Sequence, residues 1–104
     1  MTRQVILSNT AQKKLEKLFD YLSKQWSDKV KQDFIKKLDS KIKVIQLNPD
    51  AFPKSAIKLG LHKCVISKQT TIYYTYNNTS INILTVFDTR QNPNKIKSEV
   101  SNNP

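Results

Sequence analysis

The apolar residues change period along the chain, and the change divides it into a helical first half and a β second half. Gln4-Val5-Ile6-Leu7 is a short apolar run that predicts a strand. Ala11, Leu15, Leu18, Phe19, Leu22 and Trp26 then follow at helical spacing, with lysines between them, and form one stripe on one face. Ser8 or Asn9 stands where a side-chain oxygen can accept an unpaired N–H of the first turn, so the helix is expected to start there. Ser27-Asp28 interrupts the stripe and caps a second helix, whose apolar positions Val30, Phe34, Leu38, Ile42 and Ile45 again step by three and four. A connection this short forces an antiparallel helical hairpin, with Trp26 expected to be buried at its turn. Asn48-Pro49-Asp50 ends the second helix, because proline lacks the N–H and disfavours helical dihedrals at the residue before it.

Residues 51–60 carry turn signals at Pro53 and Gly60, the only glycine, and read as a loop. The remainder has strand character. Leu61 to Ser67 is one run, Lys68-Gln69 its turn, and Thr71 to Tyr76 a second run rich in β-branched and aromatic residues. Asn77 to Ser80 is a tight turn, and Ile81 to Phe87 a third run. Short turns make these an antiparallel meander. In the third run both alternating sets are apolar, Ile81, Ile83 and Phe87 on one side and Leu84 and Val86 on the other, which predicts a central strand or one covered on both faces. The order strand, helix, helix, strand, strand, strand predicts a two-layer α+β domain with the helices on one face of the sheet. The first strand's place in that sheet needs a long-range contact that the pattern leaves open. Residues 1–97 read as one domain, and the polar residues 98–104 as a frayed, disordered tail.

Composition sharpens this picture. The 104 residues carry 18 Lys and Arg against 8 Asp and Glu, a formal charge of +10, which invites a polyanion, an anionic membrane surface or an acidic protein partner. A lysine-rich solubilising surface explains the same number, since many lysines fall on the outer faces of the helices. One cysteine, Cys64, excludes an intrachain disulfide and a thiolate metal cluster, and its apolar strand context makes it a packing thiol. One histidine, His62, cannot build a His-based metal site. We therefore expect no metal, no cofactor and no small-molecule substrate. No apolar run approaches the ~20 residues of a membrane span, and no signal peptide precedes the first strand, so a cytoplasmic protein with no membrane partner is expected.

Several local signals together resemble the RelE/ParE family of toxins from bacterial type II toxin–antitoxin modules. Ser8-Asn9-Thr10-Ala11 followed by Leu15 is similar to the family's strand-to-helix junction, and Tyr21 with Trp26 to its aromatic pair at the helix–helix turn. Asn48-Pro49 and Phe52-Pro53 resemble the loop after the second helix. Leu61-His62-Lys63-Cys64-Val65-Ile66 resembles the basic strand that opens the sheet, where arginine commonly stands in place of His62. Ile72-Tyr73-Tyr74 and Ile83-Leu84-Thr85-Val86 match its central strands, and Val86 to Pro93 places Arg90 at the mouth of the sheet. The resemblance runs from Val5 to Lys95. It implies a toxin held inactive by a cognate antitoxin, typically through an acidic segment wrapped around it. A cationic surface and an apolar helix groove suit such a segment.

The family divides by target. Ribonuclease members cleave mRNA on the ribosome without metal: a 2′-hydroxyl attacks the adjacent phosphate, which takes a base, an acid and cations for the developing charge. Arg90 matches the phosphate-binding arginine after the last strand, and His62 and Lys63 fall near the basic positions of the opening strand. These three are the catalytic candidates. Thr71 stands where the family's central strand carries arginine, and Gln91 to Val100 holds neither Tyr nor His. Lys95 and Lys97 are poor bases at an ordinary pKa of ~10.4. His62 favours a structural or surface place over catalysis. Arg90 has its own simpler role, an ion pair with Asp88 at the strand end. Tyr73, Tyr74 and Tyr76 can stack bases, although strand spacing favours packing. The depleted set favours the ParE-like branch, in which the toxin is no enzyme and blocks DNA gyrase by binding, with Arg90, Lys63, Lys95 and Lys97 as contact residues. Metal-independent, ribosome-dependent mRNA cleavage is the alternative, and a non-toxic basic nucleic-acid-binding module the third.

Overall fold

The computed structural model describes residues 2–88 and Val100. The elements run in the expected order: β1 (Gln4–Leu7), α1 (Asn9–Gln25), α2 (Asp28–Leu47), a short 3-10 turn (Pro49–Ala51), β2 (His62–Ser67), β3 (Thr70–Tyr76) and β4 (Ser80–Asp88). Ser8 caps α1 by accepting the Ala11 N–H at 3.0 Å, and Ser27 caps α2 by accepting the Val30 N–H at 3.1 Å. The turn before β4 is an Asx turn, in which the Asn77 side-chain oxygen accepts the N–H groups of Thr79 and Ser80 at 2.9 and 2.8 Å.

The sheet has the order β1-β4-β3-β2. β2, β3 and β4 form the antiparallel meander, and β1 lies parallel to β4 at the edge, with Val5 opposite Ile81 and Leu7 opposite Ile83. β4 is thus central. The long-range contact left open by the sequence is a parallel pairing, tied at both ends by Gln4 N–H to Thr79 O at 2.9 Å and Ser8 N–H to Ile83 O at 3.0 Å.

The helical hairpin covers one face. Ala11, Leu15, Phe34, Leu38 and Ile45 pack there against Cys64, Ile66, Ile72, Tyr74, Ile81, Ile83 and Val86. Phe19 and Phe34 meet edge to face across the hairpin at 6.2 Å. A smaller cluster of Leu61, Tyr73, Leu84 and Val100, with Phe87 against it, occupies the other face.

Three expectations change. First, the two apolar sets of β4 are regrouped. Tyr73 pairs with Thr85 but Tyr74 with Ile83, so β4 carries one extra residue, Leu84, as a bulge. The bulge reverses the side-chain alternation. Ile81, Ile83 and Val86 therefore share the helix face, while Leu84 and Phe87 share the other. Ser8 anchors the bulge, because its hydroxyl donates to Leu84 O at 2.6 Å while accepting from Ala11. Second, Trp26 is 67% exposed at the hairpin turn. α1 ends at Gln25, and Trp26 leaves the helical stripe with φ −122° and ψ −90°. Third, Val100 lies within the tail expected to fray, yet it is fully buried on the outer sheet face, where its carbonyl accepts from Lys58 Nζ at 3.2 Å.

Candidate functional site

Neighbouring residues of a strand point to opposite faces, and β2 thereby separates two of the candidate residues. His62 faces the helices and is 3% exposed; Lys63 faces outward and is exposed. They belong to different environments and cannot share one substrate as an acid–base pair.

The His62 ring is held on several sides. Nδ1 lies 2.9 Å from the Phe52 carbonyl, an acceptor, so the N–H sits on Nδ1 and donates there. The ring stacks on Tyr74 at 5.3 Å and meets Tyr76 at 5.5 Å, and Nε2 is 3.8 Å from Asp50 Oδ1. Tyr74 OH donates to Pro49 O at 2.6 Å, and Tyr76 OH donates to the Asp50 carboxylate. Three sheet side chains thus grip three residues of the turn that follows α2. Burial pushes the Tyr74 phenol well up, and the hydrogen bond to Asp50 does the same for Tyr76, so both stay neutral near neutral pH. Arg3 completes the exposed rim. Its Nε donates to Asn77 O at 2.8 Å and its guanidinium stands 5.5 Å over the Tyr76 ring. Neither Arg3 nor Asp50 stands out in the sequence as a site residue. Their only signal was proximity to strand and helix ends, and no local pattern links residue 3 to residue 76.

Cys64 is fully buried, and burial raises its thiol from the ordinary 9.0 to about 11. A thiol this far from ionisation is no nucleophile at neutral pH. Among the described residues, no group of three His, Cys, Asp or Glu side chains is placed to hold a metal ion. Arg90, Lys95 and Lys97 lie outside the described residues.

The charge is divided between the layers. Five of the eight carboxylates fall between Glu16 and Asp39, where Lys24–Asp20 and Lys43–Asp39 pair at 3.1 and 3.2 Å along the helices. From Ala51 to Phe87, by contrast, the sequence holds Lys54, Lys58, Lys63 and Lys68 and no Asp or Glu. Among the described residues, the loop and the meander thus carry these four lysines against one carboxylate, Asp88 at the end of β4, opposite Thr70. A groove of about 330 Å³ opens where the hairpin turn approaches the β2–β3 turn, lined by Leu18, Tyr21, Trp26, Val30, Phe34 and Thr70 among others. The aromatic pair Tyr21 and Trp26 is thus a wall of this groove.

A strand, a helical hairpin and a meander define a small basic α+β domain. The chain matches, over residues 5–93, the family described as the ParE toxin of the type II toxin–antitoxin system parDE, and it belongs to that family. Its fold is similar to a structure of a chromosomal ParDE toxin–antitoxin system from P. aeruginosa, with 10% identity, 86% of this chain and 98% of that chain covered, and a TM-score of 0.70. It is also similar to the YoeB dimer from Staphylococcus aureus, with 17% identity, 84% and 97% covered, and a TM-score of 0.60. No curated protein matches the chain. Among the described residues, no helix is long and apolar enough to cross a membrane.

Proposed function

We propose that this ParE-family toxin stops growth by binding, as a block of DNA gyrase, and that a cognate antitoxin neutralises it. The observation that carries this reading is the state of His62. A general acid or base must reach its substrate, and this imidazole is buried, donates through Nδ1 to Phe52 O and lies back to back with Lys63. Thr71, where a ribonuclease of the fold would carry arginine, adds no cation to the central strand. Lys63 is exposed on the face of the strand opposite His62. What the surface offers is recognition: the lysines of the loop and meander and the aromatic-walled groove. The match to the ParE family supports the antitoxin as partner, and the cationic sheet supports an acidic one.

Induced expression in a bacterial host, with and without the adjacent reading frame, tests the proposal. Growth arrest is expected, relieved by the neighbour, with gyrase–DNA cleavage complexes accumulating and transcripts intact. New 5′ ends inside codons with unaffected gyrase would reject the binding mechanism and establish mRNA cleavage. Absence of any arrest would leave a basic nucleic-acid-binding module, whose affinity falls steeply with salt.

A further inference from the structure

We propose that the open edge of β1 is a self-association surface, where two copies of the chain pair antiparallel about a two-fold axis at Ile6 and join their sheets into one. In the parallel pairing of β1 with β4, the Gln4 N–H donates to Thr79 O and the Ser8 N–H to Ile83 O. The strand period of two aims the backbone groups of Gln4, Ile6 and Ser8 at β4, and those of Arg3, Val5 and Leu7 away from it. Gln46 fills the first of these outward places, its Nε2 donating to Arg3 O at 2.8 Å. The N–H and C=O groups of Val5 and Leu7 have no partner among the described residues. The side chains are open as well: Ile6 is 44% exposed on the outer face of the sheet and Leu7 38% exposed on the helix side. Edge strands are ordinarily blunted by lysine, proline or a bulge, and Gln4–Leu7 has none of these.

A second copy fits this edge because the edge is complementary to itself. Antiparallel strands exchange both hydrogen bonds between residues that face one another. The register that uses both free positions sets Val5 opposite Leu7 of the second copy, Leu7 opposite its Val5, and Ile6 opposite its Ile6 on the outer face. A register centred on Val5 would instead spend a rung on Arg3, whose carbonyl Gln46 already occupies. In the chosen register aliphatic side chains meet aliphatic ones, and Arg3 falls opposite Asn9, which keeps the two arginines ~20 Å apart along the strands. The other edge of the sheet offers no such match, since two copies would bring Lys63 and Lys68 together there and Lys54 already bridges to His62. The charge of +10 on each copy opposes association. A dimer held by so short a strand is therefore weak, and it tightens as salt screens the repulsion. An acidic partner or a polyanion shows the reverse dependence on salt. The inference does not rest on the target of the toxin.

The test is sedimentation velocity of the purified full chain at concentrations up to ~1 mM, at low and high salt, with backbone hydrogen exchange at both ends of the range. A monomer–dimer equilibrium that tightens with salt is expected, and the Val5 and Leu7 amides are expected to exchange about tenfold or more slowly where the dimer dominates. Ile6→Lys and Ile6→Glu each set like charges face to face at the axis, at a position exposed enough to keep the fold, and are each expected to weaken association by about tenfold or more. An equimolar mixture of the two variants is expected to recover association, because position 6 then meets the opposite charge. If either variant fails to fold, the exchange and salt series of the wild-type chain decide. A chain that stays monomeric at ~1 mM in high salt would overturn the proposal. So would a dimer that both variants form as well as wild type, a dimer with unchanged Val5 and Leu7 exchange, or weakened variants whose mixture shows no recovery. Protection of Val5 and Leu7 only in the presence of the product of the adjacent reading frame would assign the edge to a different protein and overturn it as well.

Discussion

At the scale of single residues, the side chains with the most chemical character are spent on holding the fold. His62, Tyr74 and Tyr76 are a histidine and two tyrosines on adjacent strands, a set that in a cleft would read as acid–base machinery. Here each donates to a different residue of the turn after α2: Phe52, Pro49 and Asp50. Cys64 lies on the same buried face, and its raised pKa ties stability to pH. The folded thiol ionises near 11 and the unfolded one near 9.0, so the unfolded chain loses this proton first as pH rises. The contribution is complete below about pH 9 and is lost as pH climbs through 11. Tyr74, also raised by burial, acts in the same direction. Thermal midpoints measured across this alkaline range are expected to fall, and Cys64→Ala to make the fall shallower while the Tyr74 part remains. A slope identical in the variant would show that the thiol is not buried as described.

At the scale of elements, the apolar pattern located the helices and strands closely but assigned one side chain of α1's stripe to the wrong environment. Trp26 continues the α1 stripe in sequence, yet the helix stops one residue before it and the ring is exposed. Ile45, on the α2 stripe, is fully buried. Trp26→Ala is expected to cost less than about 1 kcal/mol, and Ile45→Ala about 2–5 kcal/mol, despite the larger side chain lost at Trp26. Urea denaturation of the two variants checks this, and a larger loss at Trp26 would contradict the exposed placement. In β4 the pattern was ambiguous because a bulge at Leu84 reverses the alternation, and nothing in the residues themselves marks where the extra one sits. Its position is stabilised from outside the strand, by the hydroxyl of Ser8 at the start of α1.

At the scale of the whole molecule, the charge of +10 is less informative than its distribution. The helices carry ten lysines against five carboxylates, with Lys24–Asp20 and Lys43–Asp39 paired, while the loop and meander have four lysines and no acid between Asp50 and Asp88. A lysine of the sheet should therefore count for more in binding a polyanion than a helix lysine already paired with a carboxylate. On a heparin column, Lys63→Glu/Lys68→Glu is expected to elute at lower salt than Lys24→Glu/Lys43→Glu, although the two variants have the same net charge. Equal elution would mean that only the total charge matters.

Periodicity alone determined the order of elements, the helical hairpin and the meander, because these depend on contacts between near neighbours in the chain. Local capping and turn chemistry at Ser8, Ser27, Pro49 and Asn77 determined where the elements begin and end. The candidate site was legible only as a set of residue types. Whether His62 and Lys63 act together depends on which face of β2 each occupies, and that depends on where the helices pack. The edge position and parallel pairing of β1, the bulge at Leu84, the grip of three sheet side chains on the turn after α2 and the burial of Val100 were decided by tertiary structure. Each joins residues far apart in sequence, and the free energy that selects it comes from burial and hydrogen bonds that exist only once the layers have met.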